Sequence, residues 1–270
     1  MHQEMRVTAL RPRPAFARLR LRWIMFVAYA VATLAHADAP NVVPYRPTVS
    51  TPAALSEPGY LDLELGWQRI SGGSLARYDS TPYTLKLAFT PDWGVRIGGD
   101  GLARAVDVNG SRLSGFADTA VVLKRRFAVD GSSAFGLEGG VKLASGKREL
   151  GSGSTDYALN GIYSADLAAY HTDLNVSATR LGSVDPGQGR TQVLWAGALS
   201  HALDEHWGIV GEFSGTRRSG TASTAQFLAA VSYNVGPRMV LDAGASRGLN
   251  SAASDWSLFA GVTILLGKVF

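Results

Sequence analysis

From Gly59 onward, apolar and polar side chains alternate with a period of two, the spacing of a strand whose faces meet different surroundings. Leu61, Leu63, Leu65 and Trp67 alternate with Asp62, Glu64, Gly66 and Gln68. The pattern recurs with Leu85, Leu87 and Phe89 against Lys86, then with Val95 and Ile97 against Arg96. Val121, Leu123 and Phe127 oppose Asp118, Lys124 and Arg126, although Arg125 falls on the apolar side. Phe135, Leu137, Val141 and Leu143 alternate with Glu138 and Lys142, and a weaker strand follows around Tyr157 to Tyr163. Leu174 and Val176 face away from Asp173 and Asn175, and Thr191 to His201 is more uniformly apolar. Four clearer segments complete the chain: Ile209 and Phe213 against Glu212, Phe227 to Tyr233, Leu241 to Ala245 against Asp242, and Trp256 to Phe270. The pattern predicts an all-β chain of about twelve strands.

Proline placement and connection lengths support this reading. Pro82, Pro91, Pro186 and Pro237 all fall between the predicted strands, as expected for a residue with no N–H to donate to a ladder. Short links such as Pro91-Asp92 and Asp204-Glu205 alternate with longer Gly/Ser-rich ones such as Ser71 to Thr81, Val108 to Gly115 and Ser145 to Thr155. Short turns on one rim and long loops on the other is the arrangement of an outer-membrane β-barrel, with the short turns in the periplasm.

Ahead of the barrel, residues 59–270, the chain has two further parts. Six arginines, a run of twelve mostly apolar residues from Trp23 to Leu34, and Ala35-His36-Ala37 form a signal-peptide pattern over residues 1–37. The apolar run is too short to cross a bilayer as a helix, which takes roughly 20 residues. Residues 38–58 hold five prolines and little periodicity, which predicts an extended arm, in or under the periplasmic mouth.

Charge changes meaning once the leader is set aside. It holds six of the 26 basic residues and one acidic residue, leaving 20 basic against 21 acidic. The basic balance belongs to the leader, so nothing points to nucleic acid. The absence of cysteine excludes disulfides, thiolate metal sites and a cysteine nucleophile.

Alternation alone leaves open a membrane barrel and a secreted β-sandwich. A ring of about twelve strands is too wide for side chains to fill, so an apolar interior would be a void whereas a polar one holds water. Aromatics near strand ends, among them Trp67, Trp93, Phe127, Trp207 and Tyr233, match interfacial girdles. The expected location is therefore the bacterial outer membrane, with lipid as a partner. The last strand ends in Phe270, the pattern read by the barrel-assembly machinery, although Lys268 occupies a usually apolar place.

The candidate lumen-lining residues are Asp62, Glu64, Lys86, Arg96, Asp118, Lys124, Arg126, Glu138, Lys142, Asp173, Glu212 and Asp242. Their interleaved signs admit two readings: an ion-pair network holding the barrel's shape, or a constriction that selects a permeating solute. His171, His201 and His206 show no metal-ligand spacing, and no catalytic motif surrounds them. No enzyme, metal or cofactor is expected.

Arg46-Pro47-Thr48-Val49-Ser50-Thr51-Pro52, followed by Glu57-Pro58-Gly59-Tyr60-Leu61-Asp62-Leu63-Glu64-Leu65-Gly66, resembles the arm and first strand of the outer-membrane transporters named for the meta-pathway of phenol degradation. Gly115-Phe116-Ala117-Asp118-Thr119 leading to Leu123-Lys124-Arg125-Arg126-Phe127 resembles that family's central strand, with Ala117 where members usually have glycine. The resemblance implies transport of small hydrophobic, including aromatic, solutes and transfers no set of binding residues. The expected function is a channel for such a small-molecule solute; the alternative is a closed structural or adhesive barrel acting through its extracellular loops.

Overall fold

A computed structural model describes residues 40–72 and 75–270; the predicted leader, residues 1–37, lies outside the described residues. Fifteen strands follow the arm: β1 (Tyr60–Gly72), β2 (Leu75–Ser80), β3 (Tyr83–Ala88), β4 (Trp93–Gly99), β5 (Leu102–Asp107), β6 (Arg112–Phe116), β7 (Thr119–Ala128) and β8 (Ser133–Leu143) come first. They continue as β9 (Asp156–Leu167), β10 (Tyr170–Arg180), β11 (Thr191–Ala202), β12 (Trp207–Arg218), β13 (Thr224–Gly236), β14 (Met239–Gly248) and β15 (Trp256–Lys268).

Twelve of these strands close into an antiparallel barrel. In spatial order the ring runs β1, β3, β4, β7 and then β8 to β15, and β15 returns to β1 from Tyr60↔Lys268 to Ser71↔Trp256. Closure leaves no strand edge unpaired, the condition for crossing a bilayer with β-structure. The alternation sorts as predicted: Leu65, Leu123, Leu174, Phe213 and Leu258 are exposed on the outside, while Asp62, Glu64, Lys86, Lys124, Glu138, Glu212 and Asp242 are buried inside. Exposed apolar groups ringing buried charges make sense only with lipid outside. Arg125, out of place in the alternation, faces outward near the periplasmic end. Its guanidinium lies 5.1 Å from the Trp93 ring centroid and 4.6 Å from that of Phe127, so an outward-facing charge is held against aromatic faces.

The remaining strands, β2, β5 and β6, prolong β3, β4 and β7 past a break in each. The breaks fall at Thr81-Pro82, Asp100-Gly101 and Ala117-Asp118. Pro82 cannot donate to a ladder, and Gly101 takes a positive φ of 57°. Beyond the breaks, the upper part of β1 pairs with β2, β2 with β5, and β5 with β6, forming a four-stranded flap at the extracellular end. The segments Ser71 to Thr81 and Val108 to Gly115, expected as loops, thus contribute strands to this flap. Their charged and small residues hide the alternation, and the pairing comes from strands already aligned below.

The interior is not uniformly polar. Phe259 points inward and packs with Leu228, Ala230 and Val210, while Ile162 packs with Ala134 and Ala53. Apart from Ala53 of the arm, these positions lie within strands correctly placed from sequence, on the face expected to be polar.

Candidate functional site

The arm does not stop beneath the mouth. It runs through the lumen, where inward side chains from β1, β3, β7, β9, β10, β12 and β14 bind it from all sides. Its entry is fixed by the amide of Val42, which donates to the carbonyl of Pro237 at 2.8 Å in the β13–β14 turn. Its exit is fixed where Gly59 donates to Ala88 and accepts from Val269.

Tyr45 holds the middle of this path. Its amide donates to Glu64 Oε1 at 2.6 Å, and its hydroxyl donates to the carbonyl of Ala54 at 2.9 Å, tying the arm across itself. The Lys86 and Lys124 ammonium groups each lie 4.2 Å from its ring centroid. Two cations on one aromatic ring need carboxylates close by, and these come from neighbouring strands. Lys86 pairs with Glu64 at 2.6 Å and Asp62 at 3.7 Å, and Lys124 with Glu138 at 3.5 Å. Each lysine also donates to an arm carbonyl, Lys86 to Val43 and Lys124 to Pro52. Arg96 reaches the other oxygen of Glu138 at 3.2 Å, and Asn160 donates to it at 3.0 Å.

Across the barrel, acids bind the arm with no help from wall bases. Glu212, fully buried, accepts from the amides of Val49 at 3.1 Å and Ser50 at 2.7 Å, and from the Ser50 hydroxyl at 2.7 Å. Asp242 receives two hydrogen bonds from the Arg46 guanidinium, at 3.1 and 3.2 Å. To reach it, Arg46 lies over the cross-strand pair Gly66↔Gly261, where a Cβ on either residue would fall within 2.6 Å of the guanidinium. Asn175 exchanges hydrogen bonds with both backbone groups of Thr51, and Ser164 accepts from the amide of Ala53. Asp62 accepts from the Ser56 hydroxyl at 2.6 Å.

Three expected lumen residues lie apart from the arm's anchors, two in a cluster at the extracellular end. Lys142 pairs with Asp118 at 2.7 Å and with Asp156 at 3.2 Å. Burial acts to raise the Asp118 carboxyl, but the Lys142 ammonium and the amides of Ser152 and Gly146 outweigh it and hold the group below the usual carboxylate range. The third, Arg126, is half-buried at the periplasmic end and forms no ion pair among the described residues. Asp173 accepts from Ser164 and from His171, whose other ring nitrogen meets Asp166 at 2.6 Å. Among the described residues, no three histidines or acids converge as a metal site.

Sequence reasoning assigned no site role to Tyr45, Arg46, Ser50, Asn175 or the Gly66↔Gly261 slot, although Gly66 and Asn175 stood on the predicted polar face. A signal for them existed: the wall carries more acids than bases, and Glu212 and Asp242 have no basic neighbour on adjacent strands. Unpartnered buried carboxylates are costly, so donors had to come from elsewhere.

The arm leaves space beside it. A cavity of about 730 Å³ lies between Val42 to Thr48 and the inner wall of β10 to β14, with Val42, Val210 and Val240 near Asp173, Ser200 and Ser232. A second, of about 500 Å³, lies at the extracellular end beside Asp118, Lys142 and Asp156.

A family model described as "Putative MetA-pathway of phenol degradation" matches residues 45–266. Among solved structures, the COG4313 outer membrane channel from Pseudomonas putida F1 superposes with a TM-score of 0.62 at 12% identity, over 83% of this chain and all of that one. The NanC porin gives 0.56 at 11% identity over 76% of this chain and all of its own, and the KdgM porin 0.54 at 12% over 76% and 99%. No curated protein matches the sequence.

Proposed function

This chain belongs to the family of the MetA-pathway of phenol degradation, and on that premise we propose that it passes small apolar or aromatic solutes across the outer membrane, along the space the arm leaves open. The observation that carries the reading is the cavity of about 730 Å³ beside the arm, where aliphatic side chains such as Val42, Val210 and Val240 share the wall with polar and charged ones, among them Arg46, His171, Asp173 and Glu205. A mixed lining of this kind can hold a small molecule that has both an apolar body and a polar group. In this reading the arm narrows the lumen, and the anchoring charges set the width of the remaining path.

The test is uptake into liposomes and conductance in planar bilayers, for the full chain and for a variant lacking residues 40–58. The expected result is slow passage of a small aromatic solute through the full chain, and a larger, less selective conductance without the arm. No conductance and no uptake from either protein would defeat the proposal.

A second reading, a closed barrel acting through its extracellular loops, draws support from the density of bonds that hold the arm. The two readings part at Lys124→Ala. A pore changes its conductance, whereas a permanently closed barrel loses stability alone.

A further inference from the structure

The outward face of the extracellular flap carries a second constellation, separate from the lumen. Face identity follows from register. Trp67 and Arg69 share the outer face of β1, with the guanidinium 5.4 Å from the Trp67 ring centroid. Arg69 stands opposite Asp79, Asp79 opposite Arg104, and Arg104 opposite Ser114, so these four form one row across β1, β2, β5 and β6. Arg77 stands opposite Val106, and Val106 opposite Arg112, in the row farther from the barrel. Leu102 and Phe116 pair in the row nearer the barrel, just past Gly99↔Thr119.

The face is therefore graded along the membrane normal. Phe116 and Leu102, 68% and 49% exposed, continue the lipid-facing band upward. Above them stand four arginines and a single acid. Asp79 pairs with Arg69 at 2.6 Å and with Arg77 at 3.1 Å. Arg104 and Arg112 are exposed and form no ion pair among the described residues. Neighbouring strands are about 4.8 Å apart and diagonal neighbours about 7–8 Å, so the arginines sit within about 15 Å of one another.

We propose that this face binds the phosphate groups of a phosphorylated glycolipid of the outer leaflet, of the lipid A type. The guanidinium forks of Arg104 and Arg112, with Arg69 and Arg77 beside them, meet the phosphates. Phe116, Leu102 and Trp67 lie against the acyl chains below. Charge complementarity and continuity with the apolar band select this occupant. A soluble anion would make no use of the exposed Phe116, and a neutral lipid would leave the arginines without counter-charge.

The experiment uses the full chain, folded in detergent and stripped of lipid, titrated with bis-phosphorylated lipid A in micelles. The same lipid A without phosphates and inorganic pyrophosphate form the other arms. The expected result is tighter binding of the phosphorylated lipid by about tenfold or more, and weaker binding as salt rises. An Arg104→Ser, Arg112→Ser double variant is expected to lose about tenfold in affinity while still folding, since neither side chain holds the barrel together. Equal binding of the two lipids would overturn the proposal, and the comparison needs no variant. So would pyrophosphate binding that depends on Arg104 and Arg112 without lipid A binding, which would make the patch a soluble-anion site.

Discussion

At the scale of single residues, the lumen is organised by what the arm donates. Glu212 holds two amides and a hydroxyl of the arm while fully buried, so its loss strands donors that water reaches poorly. Glu212→Ala is expected to weaken docking of the arm by about 3 kcal/mol, seen as faster protease cleavage between residues 40 and 58. Gly261→Val would place a Cβ where the Arg46 guanidinium now lies, 2.5 Å from Nε, and expel it from Asp242. That variant and Arg46→Ala should therefore produce the same conductance, and the double variant no further change, because both remove one interaction. The Asp118 carboxyl is held below its ordinary range, so it stabilises the folded state above the unfolded carboxylate value of about 3.9. That contribution is lost as pH falls through the folded value. Proteolysis of the loop 145–155 should accelerate in acid, and Asp118→Asn should remove the pH dependence and leave the loop susceptible throughout. Asp118 itself was visible in the alternation. Its partner Asp156 was not, because it begins a strand of weak pattern.

At the scale of elements, strands with one wet and one lipid face were readable because the solvents on their two sides differ. The same rule concealed the flap. β2, β5 and β6 rise past the end of the closed ring, where charged and small residues break the alternation, and their pairing is inherited from β3, β4 and β7. The barrel is closed below the flap by β4 against β7, from Trp93↔Arg125 to Gly99↔Thr119. Replacing residues 101–117 by a short Gly/Ser turn is therefore expected to leave a barrel that still migrates compactly on a semi-native gel before boiling and slowly after it. A variant that no longer shifts would show that the flap takes part in closure. The interior apolar cluster around Phe259 escaped notice for a related reason. An apolar residue inside a strand carries no mark of its face when its neighbours, Leu258 and Ala260, are apolar too.

At the scale of the whole molecule, a barrel of twelve strands is held open by its own circumference and filled by a segment from outside the sheet. Without residues 40–58, Glu212 and Asp242 would face water, which solvates them readily, so the arm is expected to be dispensable for insertion and needed for a narrow lumen. Heat-modifiable migration with and without the arm checks this: both forms should shift on boiling. The twelve strands of the ring, their alternation and the outward apolar face could all be read along the chain, because period-two patterning is a local property imposed by the contrast between lipid and water. The same alternation also named the charges that point inward. Which of them meet, that Tyr45 sits between two lysines, and that the surplus acids hold the arm emerged only when the ring closed around it. Those pairings join residues up to 196 positions apart, and no local pattern encodes a partner brought close only when the ring closes.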